Sequence, residues 1–381
     1  MIDTITIRLS QNEFKILDHS KFNPDCYNFF YPPYPKMGSR RYIDAYQNPR
    51  KTELKQGIYK PQLTLRLRTQ GSEDSVYLYI QFSAPKVLYK NNFDELVDSD
   101  IEAILTKLTD SLKNMGVMLR MRDLKEAKVI KIHYSKNIIL PEYIIPSMVI
   151  GEIKKVDFNL HKELTERDYR NAGHSIRFHT NNYELILYDK KKDLQKSMHS
   201  DKRAIENGNS IQLNLFDEIK KKKHFEVIRI ESRLNNASWI KKELGISKQN
   251  QNIKTLFSST LSSKVINKSW GRLLNQYSYL KCKTDDKEKF LATFMINNPE
   301  VRLTNVLSIY AFLDIANSMG IGKFRNLIQH KYSNKTWYSF KKTIEKYNLK
   351  SNLPNHFESI SKILQDFEPV RLKDFTEAID L

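Results

Sequence analysis

Tyr188 closes the run Tyr183-Glu-Leu-Ile-Leu-Tyr188 and is followed at once by Asp189-Lys-Lys-Lys-Asp-Leu-Gln195. A phenol surrounded by ammonium groups is suited to attack on a phosphodiester. Covalent catalysis by tyrosine needs the phenolate favoured and the phosphate charge neutralised, and lysines within a few ångströms supply both. From Asp189 the residues suit a helix start with an acid at its head, and helical spacing stacks Lys192 four residues beyond Tyr188 on the same side. The same residues also suit an edge-strand tyrosine followed by a solvated basic helix.

Four further places in the chain carry chemistry. On the strand pattern Phe225 to Leu234, Arg229, Glu231 and Arg233 share a face. A carboxylate between two guanidiniums is either a structural ion pair or part of a charged site. Asp3 falls, by alternation along Met1 to Leu9, among Ile5, Ile7 and Leu9. A carboxylate on an apolar face costs free energy unless it is paired, coordinates a cation, or is solvated near a chain end. His133 lies on a strand pattern with Val129, Lys131 and Ser135 on its own side. A lone strand histidine is either a satisfied structural group or a ligand. His174-Ser-Ile-Arg177 adds a His-x-x-Arg pair upstream of Tyr188, the donors a metal-free tyrosine recombinase or topoisomerase would use.

The elements that must position these groups read as an α+β protein. Strand patterns run over 1–9, 62–69, 75–83, 127–135, 174–188 and 225–234, an antiparallel sheet with helices on one face. Gln70 to Asp74 and Asn181-Asn182 mark hairpin turns. Ser99-Asp-Ile-Glu102 spells a capping box, behind which Ile101, Ile104, Leu105, Leu108, Leu112 and Met115 recur at helical spacing up to Gly116. Residues 20–60, rich in proline and tyrosine, read as irregular, with Arg40, Arg41, Tyr42 and Tyr46 able to grip a nucleic-acid strand by charge and stacking. Glu152 to Arg170 reads as partly helical, and about 198–223 as an inserted polar loop. A domain over 1–236 would hold the chemistry, and 237–381 is mainly helical.

In that helical part Val306, Ile309, Tyr310, Leu313 and Ala316 line a helix ended by Gly320. A shorter helix follows, then one with Trp337, Phe340, Ile344 and Tyr347 inward and Lys335, Tyr338, Lys342 and Lys346 outward. Two short helices joined tightly, the second basic outside, have the form of a helix-turn-helix, which makes Lys335 and Lys342 candidate DNA contacts.

Charge narrows the partners. The chain has 63 Lys+Arg against 44 Asp+Glu, a net charge of +19 and a pI near 9.5 over 381 residues. Such a surface seeks polyanions, of which nucleic acid is the commonest. No uniformly basic amphipathic helix or lipidation signal points to a membrane, and the longest apolar run, Ile138 to Ile150, is broken by Pro141, Glu142 and Pro146. Cys26 and Cys282 are solitary, and with a start that passes directly into a strand pattern they fit a cytoplasmic protein.

Together these pieces resemble the replication initiators of filamentous phages and related plasmids, the gene II/X type. The resemblance runs through Met1-Ile-Asp3, Ser83-Ala-Pro-Lys-Val-Leu88 with Asn91-Asn92-Phe93, Leu185-Ile-Leu-Tyr188-Asp-Lys190 with Asp193-Leu-Gln195, Asn214-Leu-Phe-Asp217 and Arg229-Ile-Glu231-Ser-Arg233, ending near Trp337. It implies a rolling-circle nicking enzyme acting on its own origin, as supercoiled duplex and as single strand, together with the host helicase and polymerase. Tyr188 would attack the scissile phosphate, leaving a 3′-hydroxyl and a 5′-phosphotyrosyl link. Lys192 matches the Tyr-x-x-x-Lys spacing of the related superfamily, with Lys190 as the second candidate. That superfamily holds a divalent cation on a His-hydrophobe-His pair. Here Lys131-Ile-His133-Tyr-Ser135 has one histidine, so Asp3 and Glu231 would complete a Mg²⁺ or Mn²⁺ site around His133. Arg229 and Arg233 would join Lys335 and Lys342 in contacting DNA. The non-enzymatic alternative is a basic DNA-binding regulator.

Overall fold

The structure, a computed structural model, describes residues 1–31, 41–49, 59–70, 73–141, 144–155, 165–168, 174–194, 226–277, 286–347 and 355–372. In chain order the strands are β1 (Ile2–Ser10), β2 (Phe14–Ile16), β3 (Arg41–Gln47), β4 (Gln62–Gln70), β5 (Glu73–Ser83), β6 (Val117–Leu119), β7 (Lys128–Leu140), β8 (Thr165–Asp168), β9 (Ser175–His179), β10 (Tyr183–Asp189) and β11 (Glu226–Leu234). Nine of them form one sheet in the order β3-β4-β5-β1-β7-β11-β10-β9-β8. Every pairing in it is antiparallel. β7, which carries His133, is the middle strand of the nine.

The alternation visible in the sequence decides the two faces. Ile5, Ile7 and Leu9 on β1, Ile132 and Tyr134 on β7, Ile228 and Ile230 on β11, and Leu185 and Leu187 on β10 are all buried and belong to one continuous core. Each such side chain contributes about 1.5–3 kcal/mol by leaving water. The intervening residues point the other way, because successive side chains on a strand alternate.

Helices make up most of the rest of the described chain, and five of them pack on the large sheet. The helices are α1 (Tyr27–Phe30), α2 (Ala84–Tyr89), α3 (Ile101–Asn114), α4 (Met121–Glu126), α5 (Pro146–Ile153), α6 (Ala237–Leu244), α7 (Ile253–Leu256), α8 (Ser259–Tyr277), α9 (Lys287–Asn297), α10 (Leu303–Met319), α11 (Ile321–Lys331), α12 (Asn334–Lys346) and α13 (Asn355–Asp366). α6, α8 and α13 pack on β7, α5 on β9, β10 and β11, and α2 on β1 and β5. Much of the sheet's helical layer is therefore supplied from beyond residue 236. The α+β class, an antiparallel sheet with helices on one face and a mainly helical C-terminal part, is the observed architecture.

Several local expectations change. α3 buries Ile104, Leu105, Leu108 and Leu112 as its spacing predicts, but Ser99 does not cap it. The chain enters through a 3₁₀ turn, Asp98–Asp100, and the Asp100 carboxylate accepts the Val97 N–H at 2.8 Å. Gly116 ends this stretch at φ 82°, where a Cβ would press on Asp18 and Lys21 at 3.3 and 3.2 Å. Arg41 to Gln47 is a strand within the segment read as irregular, because it pairs with β4 over its whole length. Thr165–Asp168 is likewise a strand, held by β9 where the sequence suggested helix. β7 runs on to Leu140, pairing with β11 through the apolar run Ile138 to Leu140. In α12, Trp337 and Ile344 are buried and Lys335 and Lys342 exposed, whereas Phe340 stays 38% exposed although its ring stacks on Phe312. The loop expected at 198–223, Asn214 to Asp217, Arg40 and the tip of the turn at 71–72 lie outside the described residues. Among the described residues no helix is long and apolar enough to cross a membrane.

Candidate active site on the polar sheet face

β11 turns Ile228 and Ile230 into the core, so Arg229, Glu231 and Arg233 emerge on the opposite face. Their cross-strand partners on β10 are Tyr188, Ile186 and Glu184, and on β7 Asn137, Ser135 and His133. Paired residues of neighbouring strands share a face, so Tyr188, Glu231 and His133 lie on one surface.

Asp3 joins them through an irregularity. β1 pairs Ile2 with Tyr134 and Thr4 with His133, so two residues of β1 are spent on one of β7. This bulge takes Asp3 out of the alternation that would have placed it with Ile5 and Ile7. Its carboxylate meets Arg229 Nη2 at 2.9 Å and accepts from Thr4 Oγ1 at 2.9 Å. The assignment of Asp3 to the apolar face is thereby corrected. Donor atoms of Asp3, His133 and Glu231 lie within 4.8 Å of one another.

Two carboxylates and an imidazole at that separation are a donor set for a hard divalent cation. Burial lowers the His133 pKa against the pull of Glu231, which favours the neutral ring a cation needs. Burial would raise the Asp3 carboxyl, but Arg229, with Lys190 and His133, holds it below its ordinary value. Glu231 is almost fully buried, 3.9 Å from His133 Nδ1 and 3.0 Å from Arg233 Nη2. The residues fit a cation, which would bind beside guanidiniums already bonded to its carboxylates.

Arg229 is buried, and its guanidinium is bonded to Asp3, to Ser135 Oγ at 2.7 Å and to the Asn92 carbonyl at 2.6 Å. It holds the site together and is not a surface DNA contact, a correction that follows from its location in the middle of the sheet. Arg233 keeps partial exposure and bridges Glu231 and Glu184, the latter at 3.5 Å.

Tyr188 is half-buried at the end of β10. Burial pushes its phenol well above the ordinary value, opposed by Arg229 and reinforced by Glu231, Asp193 and Asp3. The expectation that the lysines hold a ready phenolate is corrected, because desolvation outweighs the neighbouring positive charge. Lys190 is fully buried, 5.7 Å from the centre of the Tyr188 ring and 3.1 Å from Asp193. Burial, with Arg229 beside it, lowers its pKa to about 8.

Lys192 does not stack over Tyr188. β10 extends through Asp189, and residues 190–194 are helical, so helical spacing cannot be counted from Tyr188. The Lys192 N–H caps onto Asp189 Oδ1 at 2.9 Å, and its exposed ammonium meets His174 Nε2. His174 in turn lies 3.4 Å from Asp189, and Arg177 pairs with Glu184. His174 is therefore held between Lys192 and Asp189, and Arg177 is engaged by Glu184. Lys335 and Lys342 sit exposed on α12, which packs against α11 and, through Trp337, on Phe312 of α10.

Tyr59 escaped the sequence reading. Its hydroxyl accepts the Ser83 N–H and is pushed up to about 12 by burial, with Asp3 close enough to add to the shift. It stands in the segment read as irregular, where no periodicity announced it.

No protein-family model matches the chain, and no curated protein matches it. Among solved structures, the crystal structure of DynU16, a protein of the dynemicin biosynthetic locus, resembles 69% of this chain and 96% of its own, at 9% identity and a TM-score of 0.17. A likeness of that size says nothing about this chain's chemistry.

Proposed function

We propose that the protein is a site-specific DNA-nicking and strand-joining enzyme of the rolling-circle type, with Tyr188 as nucleophile. The observation that carries this reading is that Tyr188 lies on the same sheet face as Asp3, His133 and Glu231, directly across from Arg229. The +19 charge and the family resemblance add to it.

In this reading Tyr188 Oη attacks the scissile phosphorus. A phosphorus–phenol bond forms while the bond to the 3′-oxygen breaks, leaving a 5′-phosphotyrosyl strand and a free 3′-hydroxyl. The phenolic proton passes to Lys190, whose lowered pKa of about 8 leaves part of it as free amine near neutrality. The 3′-oxygen takes a proton from water. Asp3, His133 and Glu231 would hold a Mg²⁺ or Mn²⁺ ion, which when bound supplies Lewis-acid polarisation of the phosphate. Arg229 orients Asp3, and Arg233 orients Glu231. Rejoining is the reverse reaction, with the 3′-hydroxyl attacking the phosphotyrosine.

The test is incubation with supercoiled origin DNA, with and without Mg²⁺, scoring open circles and protein-linked ends. The expected product is a 5′ link that requires the cation and disappears in Tyr188→Phe. A 3′ link formed in EDTA would assign the chain to the recombinases instead. Origin binding without nicking by the wild-type protein, and unchanged in Tyr188→Phe, would leave a DNA-binding regulator.

A further inference from the structure

Beyond the cluster, the polar sheet face continues over β1, β5, β4 and β3 and changes character. Successive cross-strand rungs bring together Tyr46, Thr64, Tyr79 and Arg8, and then Gln62, Gln81, Thr6 and Lys131. Tyr46 is 46% exposed and Tyr42 58% exposed. Two large rings exposed on one face of a regular strand form a patch of the kind that marks a binding surface.

These rings are fixed in place. Asp44 grips Arg66 through two 2.6 Å hydrogen bonds, and the guanidinium lies 5.8 Å from the Tyr42 ring centre and 5.4 Å from that of Tyr79. Tyr46 Oη donates to the same Asp44 at 3.1 Å. Arg66 thus spends its charge internally and acts as a spacer between aromatic planes. A cavity of about 490 Å³ opens beside them, lined among others by Tyr46, Arg66, Tyr79 and Lys131. A second, of about 700 Å³, shares Tyr46 and Asn48 and adds Lys21 and Lys60. Tyr46 therefore stands as a partition between two cavities, each with room for a flat polar ring and each bordered by lysine.

The first cavity ends at Lys131, which precedes His133 by one step along the same face of β7. A ligand lying in it reaches the candidate active site without leaving the sheet.

We propose that this surface is a platform for single-stranded DNA, on which Tyr46 and Tyr79 stack unpaired bases and Lys131 meets the backbone as the strand enters the site at His133. An exposed ring at Tyr46 and a partly exposed one at Tyr79, bordered by Lys131, match a polymer whose bases offer π-faces and whose linkages are anionic. A duplex hides those faces. Only the direction of travel toward Tyr188 rests on the proposed function. The platform stands on its own geometry.

The test uses Tyr188→Phe protein in EDTA, so that neither cleavage nor a cation contributes. A fluorescein-labelled single-stranded oligonucleotide of mixed sequence is titrated and followed by anisotropy, with thermal melting to confirm folding. Tyr46→Ala and Tyr79→Ala should each weaken binding roughly 5- to 100-fold, while Tyr46→Phe and Tyr79→Phe, which keep the ring, stay within about twofold. Binding of a duplex of the same length, which α12 could also support, should be indifferent to the alanine changes. Unchanged binding by both alanine variants, equal losses in the phenylalanine variants, or losses of duplex binding as large as those of single-strand binding would overturn the platform. Absence of nicking by the wild-type protein with this binding intact would count against the Tyr188 chemistry alone.

Discussion

Asp3 and Arg229, 226 residues apart in the chain, meet at 2.9 Å across β7, with Ser135 of that strand bonded to the same guanidinium. One ion pair thus ties the first strand of the chain to the strand that supplies Glu231. Removing the cation leaves a carboxylate in a largely dry place, which is where buried pairs are costly to break.

Arg229→Met should accordingly destabilise the protein by about 3 kcal/mol. Asp3→Asn, which leaves the guanidinium neutral acceptors, should cost less. The folded Asp3 carboxyl titrates below its ordinary 3.8. Its contribution is therefore present above that value and lost as pH falls through the folded one. Denaturant melts of wild type and Asp3→Asn should differ at pH 6 and converge in strong acid. A gap that widens on acidification would contradict the pairing.

Cation binding should weaken on the acid side. His133 is held below its ordinary 6.5 by burial, so its ring is neutral at neutral pH, and protons displace a cation only as pH falls through that lowered value. Calorimetric titration with Mn²⁺ should show affinity flat from pH 8 to 7 and falling only on the acid side of the ordinary imidazole value. His133→Gln should lose at least roughly tenfold in affinity. Equal binding by that variant would remove the histidine from the site.

Lys190 offers a sharper pH signature. It is fully buried and titrates at about 8 against 10.5 when unfolded. Between those values the unfolded chain binds more protons, so stability rises with pH across that interval. Lys190→Met should abolish the rise, with no loss of stability at pH 7 because a charge no longer has to be buried. It should also slow nicking by about 10²-fold or more. A variant that melts like wild type at both pH 7 and pH 10 would refute the buried amine.

Lys335→Ala and Lys342→Ala address the C-terminal helices. Both lysines are exposed on α12. If α12 lies along a duplex, each change should weaken origin binding and reduce the slope of log affinity against log salt by about 0.9. Nicking of a single-stranded oligonucleotide should be untouched. Wild-type salt slopes in both variants would move duplex recognition to another surface.

The sequence by itself determined the strands β1, β4, β5, β7, β9, β10 and β11, the helix α3 and the placement of Tyr188 at a strand end beside lysines. These depend on residue type and on periods of two or 3.6, which are local. It also put Arg229, Glu231 and Arg233 on one face, because β11 is regular. It could not place Asp3, since a bulge is a property of two paired strands and β7 lies far along the chain. Nor could it recognise β3 or β8, short strands that exist because β4 and β9 supply their hydrogen bonds. The protonation of Tyr188 and Lys190 was decided only by the tertiary structure. Charge neighbours can be counted along a chain, but desolvation sums over every atom that folding brings close, and at both residues it is the largest effect.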